Sequence, residues 1–233
     1  AVAGLAAAGV GGLNVTMPHK EAAVRVAEAR SEDVERLRAA NVLTFDAGPV
    51  RADNTDVAGF ARFLADDAGF DPRGASVLLF GAGGAARACA LAVARGGAAR
   101  LTAAVRDPAR ARALREALDG TGVRVTVETF AGLSAGGADL VVNATPLGGA
   151  GEPLPASGLR PGQTVVDLVY RPAVTPLVAG ARAAGADAHG GLGLLLHQAA
   201  LTVELWTGQA PPLDVMSAAA LAELAEDPRG LGG

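Results

Sequence analysis

The apolar positions of this chain follow two rhythms. From residue 76 onward, apolar runs of strand length occupy 77–80, 101–105, 123–127, 140–143, 164–168 and 187–189. Helical stretches at 85–95, 108–118 and 176–184 separate most of them. Strands joined by such crossovers predict a doubly wound parallel sheet. Before residue 69 the pattern is more broken. Residues 1–8 are helix-prone with Gly9 as their stop, 13–16 read as a strand, and 21–30 and 32–38 read as polar-faced helices with Ser31 as the N-cap between them. Residues 42–45 and Val50 flank Asp46, Ala47, Gly48 and Pro49 in a hairpin pattern, and 53–56 lead into a helix over 57–67. The stretch 69–74, with Pro72 inside it, marks a domain boundary. Beyond residue 190, a long apolar helix over 194–206 is followed by Pro211, Pro212 and a last helix over 215–225. These two helices do not continue the alternation, so they are expected to pack back on the first part. The chain therefore reads as α/β with two domains, 69–190 forming the doubly wound unit and 1–68, completed by 191–233, forming a smaller α/β unit.

Composition narrows the function classes. Half of the 233 residues are apolar and 19% are charged, enough to fill a core. No uninterrupted apolar run approaches the roughly 18 residues of a membrane span, and no charged segment precedes an apolar stretch as in a signal peptide. A net charge of −4 without a basic block argues against nucleic acid as a partner. The single cysteine, Cys89, excludes an internal disulfide and reads as a buried small hydrophobe. His19, His189 and His197 lack metal-ligand spacing, so no metal is expected. These features agree with a cytoplasmic protein.

Three segments carry candidate chemistry. Gly81-Ala82-Gly83-Gly84-Ala85-Ala86 sits between a strand and a helix and fits G-x-G-x-x-G/A. Gly81 permits a tight turn, Gly83 lets the backbone approach a pyrophosphate, and Ala86 lets the helix pack close. The free N–H groups and positive dipole end of that helix face the phosphates. Residues 69–190 are thus expected to form an NAD(P)-binding Rossmann domain. Asn14, Thr16 and Lys20 gather an amide, a hydroxyl and an ammonium at a strand-to-helix turn that Pro18 stiffens. Asp53 reads as a helix N-cap, and Asp56, beyond the cap, is free to face a cleft. A lysine paired with an aspartate can pass a proton while a nicotinamide passes a hydride to a carbonyl. At the end of the second strand of the sheet stand Arg106 and, one helical turn later, Arg110, where NAD enzymes usually place a carboxylate. Their guanidinium forks suit a 2′-phosphate and point to NADP, with Asp107 capping the helix that starts at Pro108.

These segments, with Asn143-Ala144-Thr145-Pro146-Leu147-Gly148 and the late run through Gly191, Leu192, Gly193, Gln198 and Glu204-Leu205-Trp206-Thr207-Gly208, resemble the shikimate/quinate dehydrogenase family in the same order along nearly the whole chain. The resemblance implies NADP-dependent reversible reduction of 3-dehydroshikimate to shikimate, in chorismate and aromatic amino acid biosynthesis. It implies Lys20 as the catalytic lysine with Asp56 as its partner. Asn14, Thr16, Asn41 and Asp56 would bind the ring hydroxyls, Gln198 would reach in from the late helix, and Tyr170 would line the substrate side. Gly81, Ala82, Gly83, Gly84 and Ala85 would cradle the dinucleotide, Arg106 and Arg110 its 2′-phosphate, and Asn143, Ala144 and Thr145 would border it. Gly191 and Leu194 would lie near the nicotinamide.

The chain departs from the family pattern in three places. No Ser-x-Ser pair for a substrate carboxylate precedes Asn14, and the chain opens inside an element as though an earlier segment were absent. Weakened substrate binding and lower stability are expected from this, with dinucleotide binding retained. Val42 stands where the family has threonine, and Val105 and Asp107 depart from its Asn-Arg-Thr-x-x-Arg cofactor pattern. Two rival readings stay open: a quinate-type enzyme using NAD, and a catalytically silent regulatory module that keeps the fold.

Overall fold

The computed structural model describes residues 2–45, 48–131, 133–149, 154 and 156–226. Its first lobe opens with α1 (Val2–Ala7), β1 (Gly12–Asn14), α2 (Lys20–Val26), β2 (Ala29–Arg30) and α3 (Glu32–Leu37), and continues with β3 (Val42–Thr44), β4 (Arg51–Asp53) and α4 (Asp56–Asp66). The sheet runs β1-β3-β4-β2, with β1 and β4 antiparallel to β3 and β2 parallel to β4. The antiparallel pairing of β3 and β4 has the register of a hairpin, although Asp46 and Ala47 of its turn lie outside the described residues.

Two expectations for this lobe need correction. The helix expected over 21–30 stops at Val26, because the backbone beyond it finds partners on a strand: Glu28 N donates to Val50 O at 2.8 Å and Ser31 N to Ala52 O at 3.0 Å. Tertiary pairing here overrides helix propensity. Asp53 is no N-cap either. It ends β4, where Arg51 forks onto its carboxylate at 2.8 and 3.1 Å, and the cap position falls to Thr55.

The second lobe contains β5 (Ser76–Phe80), α5 (Gly84–Arg95), β6 (Arg100–Val105), α6 (Arg112–Ala117), β7 (Arg124–Thr129), β8 (Leu140–Asn143), β9 (Thr164–Asp167), α7 (Pro176–Ala183) and β10 (Asp187–His189). All six strands are parallel, in the order β10-β9-β8-β5-β6-β7. The winding reverses between β5 and β8, and ligands of such sheets bind outside the strand ends at that point. Every residue of β5, β8 and β9 is buried, as expected of strands covered on both faces. The helix expected over 108–118 begins as a 3-10 turn, Pro108–Ala111, before α6. Asp107 caps that turn, its carboxylate accepting from Ala109 N at 3.0 Å.

The chain closes with α8 (Leu192–Thr207) and α9 (Leu213–Glu226). α8 lies on α4 so closely that a Cβ on Gly59 would come within 2.9 Å of Gln198 N. Thr202 Oγ1 meets Thr55 Oγ1 at 3.2 Å, and Trp206 Nε1 donates to Thr44 Oγ1 at 3.1 Å. Phe60, Phe63 and Leu64 of α4 share one apolar core with Leu79 of β5 and Leu91 of α5, so the lobes are joined by packed side chains as well as by the linker. Burying each such phenylalanine contributes about 1.5–3 kcal/mol.

Candidate active site

Lys20 is the first residue of α2 and Asp56 the first of α4. The side chains meet with Lys20 Nζ 2.7 Å from Asp56 Oδ2, at 17% and 7% exposure. The other carboxylate oxygen accepts from Asn41 Nδ2 at 3.0 Å. Asn41 is the hub of this wall. Its Nδ2 also lies 2.9 Å from Thr55 Oγ1 and 3.1 Å from Gln198 Oε1, while its Oδ1 accepts from Thr55 N at 2.8 Å. Because each buried polar atom is answered, the network fixes one orientation of the aspartate. Lys20 Nζ in turn holds the Oδ2 oxygen. Asn14 ends β1, beside this hub: Val15 N donates to Asn41 O at 2.7 Å. Asn14 and Thr16 are exposed, and neither side chain is hydrogen-bonded to another described residue, so their polar groups are available to a ligand.

The facing wall is backbone. Gly81 has φ +110°, a conformation that favours glycine, and a Cβ there would lie 3.1 Å from Ala144 O. Gly83 caps α5 in an extended conformation, and a Cβ added to it would meet nothing within 4 Å. The start of α5, flanked by half-buried Ala82 and Ala85, thus presents N–H groups to open space, which fits a pyrophosphate. The same helix start touches the Lys20 side chain: a Cβ on Gly84 would lie 3.5 Å from Lys20 Cδ. Loop and ammonium are neighbours across the crevice.

The loop after β8 is braced from within. Asn143 Nδ2 donates to Leu147 O and to Asp167 Oδ1, both at 2.9 Å, and its Oδ1 accepts from Thr145 Oγ1 at 2.7 Å and Thr145 N at 3.0 Å. The Asn143 amide is therefore committed to the loop, which leaves Ala144 and the turn around Thr145 to border a cofactor. Burial raises the Asp167 carboxyl above its usual value, against hydrogen bonds from Thr175, Val169 and Asn143 that pull it down. Gly191 sits where any Cβ would collide with Leu168 O, which pins the turn before α8, and Leu194 is buried in the shared core. Arg106 and Arg110 are exposed at the end of β6, and Asp107 between them is occupied as a cap. Tyr170 is 42% exposed, and its hydroxyl joins neither the Asn41 hub nor the loop. Cys89, buried in α5, has its thiol pushed up by burial first and by the Asp56 charge second, so it stays protonated and inert. A hollow of about 680 Å³ between α4 and α5, lined by Ala58, Ala61, Phe70 and Arg95, contains none of these groups.

Known proteins give the arrangement its family. Residues 1–43 match the model of the shikimate dehydrogenase substrate binding domain, and residues 191–221 that of the shikimate 5'-dehydrogenase C-terminal domain. A shikimate dehydrogenase (NADP(+)) of Moorella thermoacetica is 44% identical over 226 residues, covering 93% of this chain and 76% of that protein. The chain belongs to the shikimate dehydrogenase family. Among solved structures, quinate dehydrogenase from Corynebacterium glutamicum in complex with NAD is 33% identical, with a TM-score of 0.87 over 95% of this chain and 81% of that one. Shikimate 5-dehydrogenase from Thermus thermophilus, in complex with NADP(H) and shikimate, is 34% identical, with a TM-score of 0.77 over 91% of this chain and 78% of that one.

For a member of the shikimate dehydrogenase family, the structure adds polar groups that sequence reading passed over. Asn54 Oδ1 accepts from Asp56 N at 3.1 Å while its Nδ2 donates to Ala39 O at 2.9 Å, so it sets the first turn of α4. Thr55 and Thr202 brace the Asn41 hub from behind. Thr202 lies on the same face of α8 as Gln198, one turn on, and that spacing was the available signal. Among the described residues, no group of three or more His, Cys, Asp or Glu could hold a metal ion, and no helix is long and apolar enough to cross a membrane.

Proposed function

We propose that this chain is an NADP-dependent shikimate dehydrogenase, reversibly reducing 3-dehydroshikimate to shikimate on the cytoplasmic route to chorismate. In this reading 1–68 and 191–233 hold the substrate and 69–190 hold the dinucleotide, in a monomer or homodimer. The observation that carries it is the Lys20–Asp56 pair at 2.7 Å, oriented by Asn41 and set against the start of α5.

Asn14, Thr16, Asn41, Asp56 and Gln198 orient the ring hydroxyls, with Tyr170 at the rim. Gly81, Ala82, Gly83, Gly84 and Ala85 hold the pyrophosphate through backbone N–H groups, and Arg106 and Arg110 hold a 2′-phosphate. Ala144, Thr145, Gly191 and Leu194 bound the nicotinamide end. When bound, the dinucleotide supplies the hydride that adds to the carbonyl carbon. Lys20 donates a proton to the carbonyl oxygen as negative charge develops on it, and in the reverse direction takes the proton from the hydroxyl. Asp56 keeps the ammonium of Lys20 aimed between hydrogen bonds.

The test is a spectrophotometric assay with shikimate and quinate, each against NADP and NAD. The proposal expects shikimate with NADP to give the highest kcat/KM. Preference for quinate with NAD would move the chain to the neighbouring activity, and no turnover in any combination would sink the enzyme reading.

A further inference from the structure

One arginine is used by none of this chemistry. Arg87 lies near the start of α5, its side chain only 4% exposed, in a helix that otherwise buries apolar residues. A buried guanidinium is costly unless its N–H groups find acceptors. Arg87 finds them on both sides of the crevice. Nη2 donates to Glu21 Oε1 at 2.8 Å, on the helix turn that carries Lys20, and Nη1 donates to Ala82 O at 3.3 Å, in the glycine loop. Nε is buried with no hydrogen-bond partner among the described residues.

We propose that Arg87 is a positioning residue whose fork moors the Lys20-bearing start of α2 to the dinucleotide loop, so that proton donor and cofactor cradle move as one unit. This rests on the function proposed above. Stability alone does not account for the arrangement. Glu21 is 62% exposed, and a pair screened on one side contributes little. The geometry accounts for it better: a planar fork reaches a carboxylate on one lobe and a carbonyl on the other, which a lysine ammonium on a flexible stem does not hold in register. The neighbour of the pinned carboxylate is Lys20 itself, so an ångström of slack at Glu21 becomes slack at the ammonium.

The test compares parent, Arg87→Lys and Glu21→Gln by hydrogen exchange, with and without saturating NADP+, and by steady-state kinetics. In the parent, NADP+ is expected to slow exchange both in the glycine loop and in α2. In Arg87→Lys it should slow the loop alone. The kcat of that variant should fall on the order of 10-fold per folded molecule, with the KM for NADP+ nearly unchanged, because misplacement of a reacting group affects rate first. Glu21→Gln should move in the same direction by less, and the double variant should be no worse than Arg87→Lys alone, because both changes break one contact. Should Arg87→Lys fail to fold, Glu21→Gln carries the exchange measurement, since its carboxylate is exposed. Equal protection of α2 by NADP+ in parent and variants, no protection of α2 in the parent, or unchanged kcat in both variants would overturn the proposal. A parent that binds NADP+ but turns over no substrate would refute the proposed function and leave the exchange comparison to decide the role of Arg87.

Discussion

In the proposed function, the two walls of the crevice recognise their ligands with different parts of the chain. On the first lobe side chains would do it: Lys20, Asn41, Asp56 and Gln198 arrive from four separate segments and hydrogen-bond into one network. At the glycine loop of the second lobe the backbone would do it, through Gly81, Gly83 and Gly84, where what matters is the Cβ that is missing. A side-chain wall can lose one functional group while its backbone stays in place. A backbone cradle such as the glycine loop can be altered only by adding atoms. Substitutions on the first wall should therefore lower rate before affinity, and those on the second should lower affinity before rate.

The largest effect is expected from Lys20→Met. It removes the proposed proton donor and keeps most of the stem, so kcat should drop by about 10²–10⁴-fold. NADP affinity, measured by titrating bound NADPH fluorescence, should stay within about twofold of the parent, since the dinucleotide is held by phosphate contacts elsewhere. Asp56 loses its ion-pair partner but keeps the Asn41 bond, so a stability loss approaching about 3 kcal/mol should accompany the change. If folded Lys20→Met retains near-parental kcat, the first wall does not handle the proton.

The glycines sharpen the contrast within the second wall. Gly83→Val places its side chain in open space, so the variant should fold with only the small loss of a poorer N-cap, yet its KM for NADP should rise by about 10²-fold as the pyrophosphate is held off. Gly81→Val should instead lose stability by about 1–3 kcal/mol, because its φ of +110° strains any β-branched residue and its Cβ presses on Ala144 O. Parental NADP binding by Gly83→Val would remove the cradle from that face.

A smaller effect belongs to the rim of the second wall. Arg106→Ala with Arg110→Ala should lower kcat/KM for NADP by roughly 10–10²-fold while leaving the NAD value nearly unchanged, since each charge-assisted bond to a phosphate contributes about 1.5–3 kcal/mol and much of that is screened at an exposed site. Equal losses with both cofactors would assign the two arginines to folding of the turn.

How much of this was readable beforehand differs between the walls for a physical reason. The strands of the second lobe announce themselves as apolar runs because both sheet faces are covered, and the glycine loop is local in sequence, so six residues carry its whole logic. In the first lobe, β2 is only Ala29 and Arg30, with no apolar pattern, and it exists through pairing with β4. Asp53 has the right chemistry for a cap, but Arg51, two residues earlier on the same strand, holds its carboxylate instead. The pairing of Lys20 with Asp56 was legible through motifs. The hub role of Asn41 was not, because its partners include Gln198, 157 positions away. Local reading finds backbone sites whole and side-chain sites in pieces.

The smallest effect tests the brace beneath the second wall, where a side chain does hold the loop. The folded-state carboxyl of Asp167 is raised by burial, so the native protein binds a proton more tightly there than the unfolded chain. By linkage, the contribution of this group to stability is largest below its unfolded value near ~3.9 and is lost as pH rises through the raised folded value. Asp167→Asn removes that titration. Its carbonyl oxygen can still accept from Asn143 and Val169, and its amide can donate to Thr175 Oγ1, so stability at neutral pH should stay within about 1 kcal/mol of the parent. Urea midpoints measured from pH 4 upward should therefore fall less steeply with pH in the variant than in the parent. Identical slopes would mean that Asp167 does not carry this proton, and that the loop after β8 is braced by hydrogen bonds whose strength is independent of charge.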